Sequence, residues 1–155
     1  MLLAGPGGAV AIASEAGPKA DQRPAGRGET VTRHRVQLHG AFKAVGSPQP
    51  GTVLDRGTVV GSPFGPATIE LLSTFGAGQR LTGTFRIDSR RGSAFGTVEG
   101  TFAITGFEVD IDAVARLTGG TGRYSGITAD GLTARVHDTL DGQNGTLTLE
   151  GFARF

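Results

Sequence analysis

Phe107-Glu108-Val109-Asp110-Ile111-Asp112-Ala113-Val114-Ala115-Arg116-Leu117-Thr118 alternates along its whole length. Phe107, Val109, Ile111, Ala113, Ala115 and Leu117 share one parity, and five of the six residues between them are polar or charged. A period of two puts the apolar set on one face of a β-strand and leaves the other face wet or functional. It is also the longest Gly-free stretch after residue 29. With 27 Gly in 155 residues, a helical bundle or coiled coil is excluded, because each interior Gly costs a helix about 1 kcal/mol relative to Ala.

Working outward, Thr30 to Val45 alternates in the same way, with His34, Val36, Leu38, Gly40 and Phe42 on one side. Further strands are expected at Thr52 to Val60, Ala67 to Phe75, Leu81 to Ser89, Ala94 to Ile104, Gly131 to Asp138 and Gly145 to Phe155, eight in all. The connections Gly76-Ala77-Gly78, Arg90-Arg91-Gly92, Thr105-Gly106 and Asp141-Gly142-Gln143-Asn144-Gly145 are too short for the helix of a parallel crossover. An antiparallel meander of eight strands escapes its edge problem by closing. The expected fold is therefore an all-β, eight-stranded antiparallel β-barrel, with a sandwich as the second choice. Gly40, Gly57, Gly83, Gly96 and Gly100, inside strands, suit the coiled corners of such a barrel.

Residues 1–29, rich in Gly, Ala and Pro, read as a disordered leader or the remnant of an export signal, and residues 30–155 as one barrel domain. The leader's apolar stretch is too short and broken to span a membrane. The 15 basic and 14 acidic side chains give a net charge of +1, with no basic patch and stacking aromatics of the kind a nucleic-acid surface uses. Without Cys there is no thiol catalysis or Cys-ligated zinc, and the three His lack metal-ligand spacing. Leu72, Phe95 and Ala103 make two strands apolar on both sides, which predicts a homo-oligomer, a trimer or dimer.

The most distinctive string is Leu117-Thr118-Gly119-Gly120-Thr121-Gly122-Arg123-Tyr124-Ser125-Gly126. Its glycines permit a turn that side chains would block, Thr121 can bond freed amides, and Tyr124 can plug a barrel end. It fails as a nucleotide fingerprint, since Ser125 stands at the third Gly position and strand follows. The string resembles the Gly-Gly-Thr-Gly-basic-aromatic motif of dirigent proteins, in the allene oxide cyclase-like barrel superfamily. That resemblance spans roughly residues 30–155, although only the ten-residue motif is specific. It implies a calycin-type barrel, often trimeric, whose lumen binds small hydrophobic molecules.

The chemistry expected of such a lumen is cofactor-free: a buried acid gives or takes a proton while Arg stabilises developing charge. Polar residues set between apolar neighbours supply the candidates. Glu70, Arg86, Glu99 and Tyr124 are the expected catalytic residues, and His34, Phe85, Asp110 and Arg135 the expected ligand contacts. Two functions follow: a cofactor-independent cyclase or isomerase (or a dirigent-like protein imposing stereochemistry), and a non-catalytic, exported barrel that binds an apolar ligand or is purely structural.

Overall fold

Period-two sequence and Gly-centred turns produce eight strands in a computed structural model that describes residues 31–155. They are β1 (Arg33–Gly46), β2 (Thr52–Ser62), β3 (Ala67–Gly76), β4 (Arg80–Ser89), β5 (Gly92–Thr105), β6 (Glu108–Gly120), β7 (Ala129–Thr139) and β8 (Gly145–Arg154). Each pairs antiparallel with the next, and β1 pairs with β8, so the sheet closes into a barrel in simple chain order. The sandwich alternative is thereby corrected: pairing β1 to β8 satisfies both edges that a sandwich would leave open. The leader expected over residues 1–29 lies outside the described residues.

Strand parity divides the wall. Val36, Leu38 and Phe42 of β1, Ile69 of β3, Leu81, Phe85 and Ile87 of β4, Ile111 of β6, Leu132 and Val136 of β7, and Leu147 and Leu149 of β8 are buried in one continuous core. The Phe107 to Thr118 alternation is realised in β6 from Val109 onward, where Val109, Ile111, Ala113, Ala115 and Leu117 are buried and their neighbours exposed; Phe107 lies in the turn before β6 and is exposed, a correction to its place on the inward face.

Interior glycines let the wall curve tightly. A Cβ on Gly96 would strike the Arg116 carbonyl of β6, and one on Gly57 the Ala41 carbonyl of β1. Gly96 also sits where the β5–β6 register slips, with Phe95 opposite Gly119 and Gly96 opposite Leu117. The outward ring of Phe95 lies against Gly119, where a Cβ would come within 2.9 Å of Phe95 Cε2.

The two ends of the barrel differ. One is stoppered by the turn that carries the Gly-Gly-Thr-Gly string. Tyr124 is fully buried, its hydroxyl donates to the Pro63 carbonyl (3.1 Å), and its ring packs against Phe64 and Phe155. Thr121 accepts from the Ser93 amide through Oγ1 (3.1 Å) and donates its own amide to the Ser93 carbonyl (2.8 Å), which pins the β5 start, while its carbonyl accepts from the Tyr124 amide (3.0 Å) within its own turn. The opposite end, reached by the β1–β2, β3–β4, β5–β6 and β7–β8 connections, is open among the described residues.

Candidate functional site

At the open end β1, β2, β3, β5, β6 and β7 surround a pocket of about 590 Å³. Phe42, Phe75, Phe102, Leu71 and Ile111 form much of its wall, and Phe75 and Phe102 meet edge to face at 5.1 Å. Below it, between Leu71, Ser73, Phe85, Ile111 and Val136, the lumen narrows to a cavity of about 40 Å³. The barrel is thus packed through its middle and hollow at its mouth. A pocket of this size accepts a small molecule, whereas the narrow cavity beneath has room for little more than a methyl group or a water.

Asp55 is the buried acid of the mouth. It shares the inward parity of Val53 and Val59 on β2, faces Leu71 of β3 in register, and is only 7% exposed. Its Oδ1 has no hydrogen-bond partner, the one such buried side-chain atom among the described residues. A buried carboxylate without partners is costly, and the group responds by holding its proton. Burial pushes the Asp55 carboxyl up to about 6, and the negative charge of Asp138 adds to the effect. Asp138 points inward from β7 beside Val136, lines the same pocket and accepts from the Thr139 amide at 2.7 Å. At the rim, Asp141 accepts from the Thr139 hydroxyl (2.5 Å) and the Gln143 amide (3.1 Å), bonds that hold its carboxyl below the ordinary value.

Most of the residues singled out from the sequence are elsewhere. Five charged candidates stand on the outer wall, because a residue between two inward neighbours must itself point outward. Glu70 pairs with Arg56 at 2.8 Å, Glu99 with Arg116 at 2.8 Å, Asp110 with His137 at 2.7 Å, and Arg135 lies 3.9 Å from Asp112. Arg86 holds Asp88 (2.8 Å) and donates to Ser93 Oγ (3.1 Å), which in turn donates to Asp88. The resulting clasp steadies the β4–β5 turn against Thr121, and it holds the Asp88 carboxyl below its ordinary value, through Ser93 first and Arg86 second. Tyr124 and His34 belong to the closed end, where His34 stacks on Phe155 at 4.0 Å. Phe85 alone of the eight lines the interior cavity.

Removing an outer pair should therefore do little. Glu70→Ala is expected to change stability by less than about 1 kcal/mol, since both partners are half exposed and such pairs are weak. Small-molecule binding at the mouth should not change. Chemical denaturation and a ligand titration on the variant check both, and loss of binding in a folded Glu70→Ala protein would move the site to the outer wall.

A larger depression of about 890 Å³ crosses the outer wall over β8, β1, β2 and β3, lined by His39, Ala41, Thr58, Val60 and Thr148 among others. It contains no unpartnered buried polar atom among the described residues, and so lacks the feature that marks the mouth. Comparison with protein-family models, with curated proteins and with solved structures gave no match.

Proposed function

We propose that this protein holds a small apolar molecule in the open mouth of the barrel and moves a proton on it through Asp55, as a cofactor-independent isomerase or cyclase. The observation that carries the reading is Asp55 itself: a buried carboxyl with a free Oδ1, in an aromatic pocket of ligand size. With its titration near 6, both protonation states are populated around neutrality, which is where a general acid–base catalyst works best. Ionised Asp55 would take a proton from a carbon activated by a neighbouring carbonyl or double bond. The neutral acid would then return that proton at another position, leaving a rearranged product and the starting carboxylate. Aromatic walls that fix one face of the ligand would supply orientation and, for a reactive intermediate, stereochemical control. We likewise propose, on the Gly-Gly-Thr-Gly string, that the chain is one of the dirigent-like, allene oxide cyclase-like barrels.

One observation favours the non-catalytic alternative. Among the described residues no Lys, Arg or His lines the mouth, so developing negative charge on an oxygen would lack a cationic partner there. Exchange of the α-protons of 2-tetralone into deuterated buffer, followed by proton NMR, separates the two. A catalytic Asp55 predicts acceleration that falls by about 100-fold or more in Asp55→Asn, the usual scale for a general base. Binding without acceleration leaves a carrier barrel, and absence of both binding and acceleration removes the mouth as a functional site.

A further inference from the structure

The charge around the mouth points to a more specific ligand. Asp55, Asp138 and Asp141 line a pocket whose other walls are mostly apolar and aromatic, with Ser47, Ser73 and Thr139 between them, and among the described residues no basic side chain lines it. The basic groups on the strands around this end are directed elsewhere. Lys43 and Arg80 are exposed on the outward parity of β1 and β4, Arg56 is engaged by Glu70, and His137 by Asp110. Asp138 and Asp141 each accept a local hydrogen bond, which leaves the Oδ1 of Asp55 as the buried acceptor without a donor. A missing donor, surplus negative charge and the faces of Phe75 and Phe102 are what an organic ammonium group satisfies together. Its N–H would complete Asp55, its charge would be attracted by the carboxylates, and its flanking carbons would rest on the aromatic rings.

Resting on the reading that the mouth takes a small molecule, we infer that its ligand is a cationic amphiphile: an apolar body bearing a protonated amine, with the amine at Asp55 and Asp138. Fatty acids and other apolar carboxylates are disfavoured by the same three groups, since like charges in a partly desolvated pocket repel strongly.

The test compares 4-phenylbutylamine, 4-phenylbutanol and 4-phenylbutanoate, near-isosteric probes differing in head-group charge, by calorimetry and NMR titration of the full chain at pH 7.5. The amine is expected to bind at least about tenfold more tightly than the alcohol, and the butanoate more weakly than either. Raising the salt from 50 mM to 0.5 M should narrow the gap between amine and alcohol. In Asp55→Asn and in Asp138→Asn the preference should shrink while alcohol binding persists. Equal binding of amine and alcohol by the unaltered protein overturns the charge inference and leaves the pocket standing. Failure of all three probes to bind overturns both. A preference unchanged in folded variants of Asp55 and Asp138 overturns this placement of the amine. The three-probe comparison on the unaltered chain needs no variant to fold.

Discussion

Gly96→Ala should lower the stability of the barrel by about 3 kcal/mol or more, which for a domain of this size is a fall in Tm of roughly 10 °C. The cost is not lost flexibility of the chain. A methyl group at this position meets the main-chain carbonyl of Arg116 across the β5–β6 ladder, and a backbone atom has no rotamer with which to step aside. Relief requires β5 and β6 to separate at their register slip, beside the Gly119 and Gly120 segment that seats Tyr124. Gly131→Ala is the matched control. Its Cβ would meet nothing within 4 Å, so stability should move by no more than about 0.5 kcal/mol. Thermal melts of the two variants check the contrast. Equal effects would mean that interior glycines do not set the curvature of the wall.

Asp55→Asn is the second large expectation, and its sign reverses the usual rule for losing a buried charge. Burial raises the folded-state titration of Asp55 from 3.8 to about 6, so the folded protein binds this proton more tightly than the unfolded chain does. Below about pH 4 the carboxyl is neutral in both states and costs nothing extra. Stability then falls as the pH rises from about 4 to 6, and above 6 the full penalty is present. Two pKa units correspond to roughly 3 kcal/mol. Asn carries no charge but still needs hydrogen-bond partners, so the variant should gain about 1–3 kcal/mol at pH 8. That gain should dwindle toward pH 4. Denaturant titrations at the two pH values measure it, and an equal effect at both would show that Asp55 is ionised with little penalty. On the proposed reading of Asp55, such a gain would be stability given up for activity.

Much of the architecture could be read from alternation alone. Phe107 to Thr118 shows which residues of β6 face inward, and the apolar parity of Thr30 to Val45 does the same for β1. Tyr124 as a stopper followed from one aromatic residue placed just after a glycine turn between strands. The mouth is less legible, because a charged residue set between apolar neighbours in a strand faces away from them. Glu70 lies between Ile69 and Leu71, and Arg86 between Phe85 and Ile87; in a strand, those flanking residues sit on the opposite face. The informative comparison is two residues away. Asp55 has Val53 and Gly57 at that spacing, and Asp138 has Val136, so both belong to apolar inward faces. What parity cannot supply is depth along the barrel. Closure and register bring Asp55 of β2 and Asp138 of β7 to one mouth from opposite sides of the sheet order.

The outer wall has a different logic. Its ion pairs, Arg56 with Glu70 and Arg116 with Glu99, join neighbouring strands in the register that the interior packing already imposes. They keep the surface charged and mixed, and they contribute to strand pairing by small amounts. The clasp of Arg86, Asp88 and Ser93 is more local, holding the β4–β5 turn where Thr121 reaches it.

Titration of the aspartate side-chain carboxyls by carbon-13 NMR, with and without a neutral apolar probe such as 4-phenylbutanol, tests the proposed ligand site at the mouth most directly. One carboxyl should titrate near 6, vanish from the spectrum of Asp55→Asn, and move higher still when the probe shields it further from water. If every aspartate titrates near or below 4, and none responds to the probe, the mouth is not a ligand site built around a buried acid.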